Sequence, residues 1–348
     1  MSKAEGLGGA PLVRLRAEAL GDELQFIEAT IAPGRGMLLV QARVRLPGHG
    51  EFDLLTTPPL DVVAGKLGGP DDFAGNVSFS LGGAILLPYA NRITGRALPD
   101  TREIETQVLG RTVRLPTNWG GKALGAEQYA MHGLMLDSAF EVVEQGADCV
   151  RGVLRAGDFA GHWLSATDVT VEYRLTSAAL ELTVQAANTG DEPLPIGIGW
   201  HPWFNLPSGD RSQARLRVPA RARTAVNDYD EVLPTGEVLP LAGIPYDFSQ
   251  GAPLGDLYLD DCFVDLTGDA AEVIDPAAHF GLRISAGAPP VKAFQVYAPP
   301  DKPFVVVEPQ FNWADPFNPV WKSGDTGMVI LQPGERTTYA AKVALFTP

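Results

Sequence analysis

The side chains of His201, Asp260 and Glu308 are the first candidates for chemistry, because each lies in or after an apolar segment with a strand-like pattern. A histidine and a carboxylate can transfer protons near neutral pH. In FVVVE, residues 304–308, four apolar residues lead into Glu308. Desolvation there would raise the pKa of this carboxyl and make it a better base. A structural ion pair is the alternative for Glu308.

The segment NTGDEPLPIGIGWHPWFNLP, residues 188–207, predicts how His201 is presented. If Leu194–His201 is one strand, Gly197 and Gly199 share a face with the histidine, and the opposite face is apolar. Glycine in a strand often marks the close approach of a ligand or of another backbone. We therefore predict a bare backbone floor leading up to the imidazole.

Three residues after this strand complete the predicted cleft. Pro202 cannot donate to a strand ladder and is expected to end regular pairing just past the histidine. Trp203 and Phe204 would then supply aromatic faces beside the imidazole. These features favour a cleft for a flat, polyhydroxylated ligand. A core histidine beside an ordinary Pro-aromatic turn is the alternative.

Further polar candidates lie in other segments. In LYLDDCFVDL, residues 257–266, alternation predicts that Asp260 is the carboxylate set among apolar neighbours, where it would need partners. A turn cap through backbone amides is an equal alternative. PYANRI places Asn91 and Arg92 at a strand–loop junction, and MHG places His132 before a tight turn. In isolation, a solvated arginine and a surface histidine also account for these two residues.

Strand-like segments occur throughout the chain, and helix candidates such as Leu60–Lys66 are few. The clearest pattern is a hairpin in which apolar residues alternate with polar ones over 169–175 and 180–186. The 29 prolines and 38 glycines are spread along the chain, as many short strands joined by turns require. The segment 227–253 is predicted to be a long structured loop. The sequence therefore predicts one large antiparallel all-β domain over residues 1–348.

The formal net charge of −15 argues against binding to nucleic acid or to anionic membranes. The two cysteines have no metal-type spacing and form no disulfide framework, which favours a reducing compartment. With no signal-peptide pattern at the N-terminus, the expectation is a cytoplasmic protein. A metal site is not expected, because the four candidate ligands (His132, His201, Asp260 and Glu308) lack local ligand spacing.

Five short motifs occur in an order that resembles the aldose 1-epimerases, or galactose mutarotases. They are the Asn-Arg of PYANRI, the His-Gly of MHGL, the Gly-x-x-His-Pro-x-Phe of GIGWHPWF, the Asp-x-x-Phe of DDCF and the Glu-Pro-Gln of VEPQ, with Asp315 and Asn318 downstream. The motifs span residues 88–318, most of the chain. The resemblance implies the all-β, antiparallel β-supersandwich fold of that family, with few short helices and a sugar cleft across one sheet.

The resemblance also implies roles for individual residues. Glu308 matches the family's general base, and His201 matches its general acid. Arg92, His132 and Asp260 match its sugar-binding residues. Asn91, which precedes the matching arginine, is expected to shape its loop, and Trp203 is expected to pack on the sugar ring. The implied reaction interconverts the α and β anomers of a free aldose such as glucose or galactose, without metal or cofactor. The expected partner is a small sugar, and the expected state is a monomer or a weak homodimer.

Four features depart from the family pattern: Leu134, Phe140, Phe311 and the segment 111–130. They are expected to line or flank the cleft, and so to affect which sugar is chosen. Two other functions stay open. One is a non-catalytic sugar-binding protein of the same fold. The other is a glycosidase or lyase that uses Asp260 and Glu308 as paired carboxylates.

Overall fold

Antiparallel strands make up most of the structure, which confirms the all-β prediction. The computed structural model describes residues 6–18, 20–120, 127–287, 291–322 and 324–348. In chain order, the strands of the first half are β1 (Gly6–Leu7), β2 (Ala10–Pro11), β3 (Val13–Arg16), β4 (Gln25–Ala32), β5 (Leu38–Leu46), β6 (Gly50–Asp53), β7 (Gly83–Leu86), β8 (Arg92–Ile93), β9 (Arg96–Ala97), β10 (Glu103–Val108), β11 (Arg111–Pro116), β12 (Trp119–Gly120), β13 (Gln128–Met131), β14 (Glu141–Gln145), β15 (Cys149–Gly157) and β16 (Thr167–Leu175).

The strands of the second half are β17 (Ala179–Asn188), β18 (Leu194–Ile196), β19 (Gly199–Asn205), β20 (Arg215–Arg217), β21 (Ala220–Val226), β22 (Pro234–Pro240), β23 (Ala252–Pro253), β24 (Leu259–Leu266), β25 (Ala270–Asp275), β26 (Phe280–Ala286), β27 (Ala293–Ala298), β28 (Phe304–Gln310), β29 (Val329–Leu331) and β30 (Arg336–Phe346). The helices are α1 (Leu60–Lys66), as predicted, and α2 (Asn76–Phe79), with short 3₁₀ turns at Arg211–Gln213, Pro276–Ala278 and Pro319–Trp321. Within the described ranges, neither helix is long and apolar enough to cross a membrane.

Two large sheets share one hydrophobic core. Among the described residues, the larger sheet has the strand order β22-β21-β24-β27-β28-β19-β7-β5-β4-β3, with β6 paired to β5. The second sheet has the order β14-β15-β16-β17-β30-β26-β25-β20-β23. Side chains from both sheets meet in a single apolar cluster, which includes Phe26 and Trp200 of the larger sheet and Tyr173 and Val184 of the second sheet. Burying one face of each sheet in this way leaves the other face of the larger sheet available for a site.

The predicted hairpin is the centre of the second sheet. Strands β16 and β17 pair in antiparallel register, with Val171 opposite Val184 and Tyr173 opposite Leu182. Along β16, buried residues alternate strictly with half-buried ones. The alternation seen in the sequence therefore reports one face packed against the core.

The predicted single strand over Leu194–His201 is wrong. Its first part is β18, which pairs with β29, and its second part is β19, which lies between β28 and β7 of the larger sheet. The predicted stop at Pro202 is also wrong, because β19 continues to Asn205 with Pro202 opposite Gly83. A missing N–H removes at most one ladder bond, so β19 still pairs with β28 from Trp203 to Asn205, although its pairing with β7 ends at Pro202.

The glycines of this segment serve packing and do not provide a floor for a ligand. A Cβ atom built on Gly197 would overlap the side-chain amide of Asn312, and one on Gly199 would lie 2.9 Å from the Cβ of Ala90. The prediction of close approach is therefore confirmed, but the groups that approach belong to the protein itself.

The prediction that the segment 227–253 is one long loop is wrong. It contains β22, which pairs with β21, and it ends in β23, which pairs with β20. The irregular part that precedes β22 contributes Tyr229, Asp230 and Val232 to the lining of the cleft described below. The prolines and glycines of the segment thus mark turns around a real strand.

We expect Gly197→Ala to lower the free energy of unfolding by about 1–3 kcal/mol, because the new methyl group must displace the Asn312 amide. Gly65→Ala is the matched control. Gly65 lies within α1 with open space around its Cβ position, so this change should raise stability by about 0.5–1 kcal/mol. Equilibrium urea denaturation measures both values. Equal effects at the two positions would contradict the packing role of Gly197.

Candidate active site

Two rows of side chains cross the outer face of the larger sheet at its centre. The register pairs Asp260 of β24 with Tyr297 of β27, and Tyr297 with Val306 of β28, which pairs with Trp203 of β19. The adjacent row contains Gln295 of β27, which lies opposite Glu308. Directly paired residues on one face have Cβ atoms about 4.5–5.5 Å apart. The strand register alone therefore gathers residues that are distant in sequence.

The same register places His201 opposite Glu308, since Gly199 pairs with Gln310 and Trp203 pairs with Val306. The Nε2 atom of His201 lies 3.4 Å from Oε1 of Glu308. Both side chains are buried. Nε2 of Gln310 donates to the other carboxylate oxygen, Oε2, at 2.9 Å. Gln310 thereby leaves Oε1 facing the imidazole.

Burial governs the protonation of this pair. Desolvation raises the pKa of Glu308 well above its usual range, and the nearby charge of Asp260 adds to the effect. Desolvation also lowers the pKa of His201 to about 4. Both shifts favour the uncharged forms, a carboxylic acid and a neutral imidazole. Because the two groups are in contact, the protonation of one affects the protonation of the other.

Asp260 was predicted to be the carboxylate set among apolar neighbours, but Asp261 is the more deeply buried of the two. Asp261 is the fully buried one, and its carboxylate pairs with Arg223 and accepts from the Tyr229 hydroxyl at 3.0 Å. Asp260 is half-buried in the cleft and accepts from Nε2 of Gln295 at 2.6 Å. Alternation placed Asp260 and Asp261 on opposite faces but could not show which face is drier, because that depends on the loop carrying Tyr229.

Arg92 and His132 are buried at a junction between β8 and β13, so the solvated alternatives for them are wrong. The backbone N–H of His132 donates to the carbonyl of Asn91 at 2.7 Å. Oδ1 of Asn91 accepts from the backbone N–H of Arg92 at 2.9 Å and from its Nε at 3.0 Å. Asn91 and His132 both have positive φ values, of 60° and 63°. Strained backbone of this kind is commonly found at functional sites.

Asn312 fixes this junction to the rest of the site, and sequence reasoning missed it. Its Oδ1 accepts from the N–H of Ala90 and its Nδ2 donates to the carbonyl of Ala90, both at 3.0 Å. Asn312 follows β28 by two residues, so it links the loop that bears Arg92 to the strand that bears Glu308. Asp315 and Asn318, noted downstream in the sequence, bond to each other and to Thr94 in the same region. They support the loop and do not line the cleft.

All seven predicted site residues line one cleft. Within it, the imidazole rings of His132 and His201 meet edge to face at 4.9 Å, and the Trp203 ring lies 5.3 Å from that of His201. Phe204, the second aromatic candidate, points into the core against Trp200. Residues that the prediction missed also line the cleft: Phe79, Trp119, Tyr229, Tyr258, Gln295 and Tyr297. The alternation of Gln295 and Tyr297 in AFQVYA, residues 293–298, could have revealed that pair.

Three of the four departures from the family pattern do not line the cleft. Leu134, Phe140 and Phe311 are not among its lining residues, and Phe311 is fully buried against Tyr339, with ring centroids 5.7 Å apart. These residues were expected to line or flank the cleft; none of the three lines it, and Leu134 and Phe311 flank it in sequence, beside His132 and Glu308. The segment 111–130 does contribute, through Trp119. Residues 121–126 of that segment lie outside the described part of the chain.

We expect Asp260→Asn to stabilise the protein at pH 8 by roughly 1–3 kcal/mol, and this gain should disappear below about pH 4. Burial raises the pKa of Asp260 from 3.8 to about 6 in the folded state, despite opposing contributions from Arg92 and Gln295. The wild-type protein therefore loses stability as the pH rises through about 6, whereas asparagine does not ionise. Urea denaturation of both proteins at pH 4 and pH 8 measures the difference.

Asp301→Asn provides the control for this measurement. Asp301 is exposed, and its pKa is lowered by Lys302, so the substitution should change stability in the opposite sense between the two pH values. A gain at position 260 that does not vary with pH would show that the ionised Asp260 carboxylate is not penalised in the folded protein.

Comparison with known proteins agrees with the geometry. The aldose 1-epimerase family profile matches residues 66–343. An uncharacterised Escherichia coli K12 protein, YphB, is 26% identical over 263 residues, covering 73% of this chain and 80% of its own length. A solved galactose mutarotase-like protein from Clostridium acetobutylicum is 20% identical with a TM-score of 0.73, and covers 97% of this chain and 98% of its own.

A GalM/aldose epimerase homologue from C. elegans shares the same fold. It is 17% identical with a TM-score of 0.73, and the match covers 97% of this chain and 98% of that one. The structural matches support the fold, and the family profile covers more than half of the sequence. The chain therefore belongs to the aldose 1-epimerase family.

Proposed function

We propose that this protein is an aldose 1-epimerase that interconverts the α and β anomers of a free, neutral aldose. The observation that carries the proposal is the contact between His201 Nε2 and Glu308 Oε1, 3.4 Å apart in the buried floor of a cleft. An acid and a base in direct reach of one bound ring are what anomer exchange needs. Membership of the family supports the same chemistry.

In this mechanism Glu308 removes the proton of the anomeric hydroxyl while His201 delivers a proton to the ring oxygen. The bond between C1 and the ring oxygen breaks, and C1 becomes an aldehyde. Rotation about the C1–C2 bond then presents the other face of the aldehyde. In closure, His201 takes the proton back from the ring hydroxyl as its oxygen attacks C1, and Glu308 returns a proton to the aldehyde oxygen. Each group thus ends as it began.

The protonation states of Glu308 and His201 change together during these steps. Ring opening starts from a carboxylate and an imidazolium and ends with a carboxylic acid and a neutral imidazole. The total charge of the pair is the same before and after, so the buried site never holds a net charge from this source. Burial favours the uncharged state, through the raised pKa of Glu308 and the lowered pKa of His201. That state is also the resting form of the pair, so a proton must pass from Glu308 to His201 before ring opening, and ring opening then restores the uncharged state.

The remaining polar groups are suited to holding a sugar in place. Arg92 is fixed by Asn91 and by the carbonyl of Glu231, and Asp260 is fixed by Gln295. Burial keeps His132 neutral by lowering its pKa, and the neighbouring His201 and Arg92 act in the same direction. A neutral imidazole both donates and accepts hydrogen bonds, as sugar hydroxyls require. Positioning of this kind supplies a large part of catalysis when the chemistry is proton transfer.

We expect Glu308→Gln to lower kcat for mutarotation by roughly 10²- to 10⁴-fold, while sugar still binds. Glutamine keeps the size of the side chain and its bond with Gln310 but cannot take the anomeric proton. Polarimetry on fresh α-D-glucose and α-D-galactose measures the rate above the buffer blank, and calorimetry measures binding. Glu272→Gln, on the second sheet, is the matched control and should not change the rate.

Near-normal turnover in Glu308→Gln would remove this residue from the base role. Wild-type protein that binds these sugars without accelerating their mutarotation would instead indicate a non-catalytic sugar-binding protein. Cleavage of a glycan by the purified protein would indicate the glycosidase or lyase alternative.

We expect His201→Asn to lower kcat by roughly 10²-fold or more and to change the dissociation constant for sugar by less than about tenfold. The reason is that the amide can hydrogen-bond a ring oxygen but cannot protonate it. The same polarimetric and calorimetric measurements separate the two effects. A loss confined to affinity would make His201 a binding residue and would leave the acid unassigned.

A further inference from the structure

The two oxygens of the Glu308 carboxyl group have different partners. Oε1 lies 3.4 Å from Nε2 of His201. Oε2 accepts a hydrogen bond from Nε2 of Gln310 at 2.9 Å. The side chain of Gln310 is fully buried, and it is not among the residues that line the cleft. Gln310 therefore touches the proposed base from behind, without reaching the place where a sugar would bind.

The strands on either side of β28 leave room for this amide. Gln310 pairs with Ala293 of β27 and with Gly199 of β19. A Cβ atom built on Gly199 would lie 3.3 Å from Cγ of Gln310, which is tight for two carbon atoms. Gln310 follows Glu308 by two residues on the same strand, so both side chains point to the same face. The small neighbours therefore let the amide lie against the carboxyl group.

The other end of the Gln310 amide shows which contact fixes its orientation. Its Oε1 atom is buried and has no hydrogen-bond partner within the described part of the chain. An unpaired buried polar atom costs free energy, so this oxygen does not determine how the amide lies. Turning the amide over would place its oxygen against the carboxylate of Glu308, where both atoms are acceptors. The bond that Nε2 donates to Glu308 therefore accounts for the orientation.

This bond affects both the place of the proton on Glu308 and the charge of the group. Because Oε2 already receives an N–H, a proton on Glu308 is directed to Oε1, the oxygen that faces His201. A hydrogen bond to an ionised carboxylate is also stronger than one to a carboxylic acid. Burial raises the pKa of Glu308, and the bond from Gln310 opposes that rise. The amide thus favours the carboxylate that ring opening requires.

We propose that Gln310 is a positioning residue that directs the proton of Glu308 to Oε1 and stabilises the carboxylate formed when this proton passes to His201. In that step the bond between Oε1 and the proton breaks, and a bond forms to Nε2 of His201. Glu308 becomes a carboxylate and His201 becomes an imidazolium. This inference rests on the proposed function, since it concerns the base of that reaction. Gln310 acts through Glu308 and does not touch the sugar.

Other ionisable side chains surround this pair and bear on how it titrates. The groups that act on Glu308 or contact His201 are Asp260, Cys262, Arg92, Tyr339 and His132. Burial raises the pKa of Cys262 to about 12 and that of Tyr339 well above its ordinary value, and it keeps His132 neutral. Burial also raises the pKa of Asp260 to about 6, so Asp260 is ionised above about pH 7. The pair of Glu308 and His201 therefore dominates the alkaline side of a pH profile.

The test is the pH profile of mutarotation in Gln310→Met, measured by polarimetry on fresh α-D-glucose. Methionine has a similar length but cannot donate. We expect kcat at neutral pH to fall roughly 3- to 30-fold, as part of one hydrogen bond to a charged group is lost. KM should change by less than about threefold, because Gln310 does not line the cleft. The loss should shrink as the pH rises through the pKa of Glu308, because the carboxylate then exists without help from the amide.

Two further variants make this reading specific. In Gln310→Glu, a protonated carboxyl group can donate to Oε2, whereas an ionised one repels it. Its kcat should therefore fall at the alkaline end of the range, where that of Gln310→Met recovers. Gln310→Glu also tests the inference if the methionine variant does not fold. Gln185→Met, the same substitution at a half-buried position of β17 on the second sheet, is the control and should leave the whole profile unchanged.

The outcomes separate this inference from the proposed function. A loss of kcat in Gln310→Met that is equal at every pH, or near-normal kcat at neutral pH, overturns the role of Gln310 and leaves the epimerase proposal intact. If the wild type accelerates no aldose, the epimerase proposal fails. Carbon-13 NMR of the carboxyl carbon of Glu308, assigned with Glu308→Gln, then decides the inference. Its pKa must be higher in Gln310→Met than in the wild type by about 1 unit, and an equal pKa overturns the inference.

Discussion

The cross-strand register of β28 with its two neighbours is the constraint on which the site depends. It sets Glu308 opposite Gln295 on one side and opposite His201 on the other. A shift of one residue in either pairing would turn the carboxylate into the core and bring an apolar side chain to the cleft. Because the core face of the sheet is packed with large apolar residues, that shift would be costly. The energy that fixes the fold therefore also fixes the geometry of the acid–base pair.

Burial has two separate effects on this geometry. It restricts the side chains to one arrangement, and it moves the pKa values of Glu308 and His201 in opposite directions, toward the uncharged forms. In a solvated pair at the same distance, the glutamate would be a carboxylate at neutral pH, because water stabilises the charged form. Burial also destabilises the charged form of the neighbouring Asp260 and raises its pKa. The charge of Arg92 and the hydrogen bond from Gln295 partly offset this effect. The cleft thus concentrates polar groups that would each be more stable in water.

Loops from distant parts of the chain complete the site, and amide side chains hold them. Asn91 orients Arg92, Asn118 ties the strand of Trp119 to Met131, and Asn312 binds the backbone of Ala90. An amide carries both a donor and an acceptor on one rigid plane, so it can replace a missing strand partner at a junction. Gly197 leaves room for one of these amides, which explains why it lies within an otherwise apolar segment.

The sequence by itself determined the all-β class, the central hairpin, the family and the seven candidate residues that line the cleft. Periodicity and short motifs carry this information, because they depend on local geometry and on chemically specific residues. Only the tertiary structure decided that 194–201 is divided between two sheets, that Gly197 faces Asn312, that Asp261 is more deeply buried than Asp260 and that Phe311 belongs to the core. Each of these depends on which distant segment packs against a given face. Local sequence specifies the direction in which a side chain points, but not what it meets there.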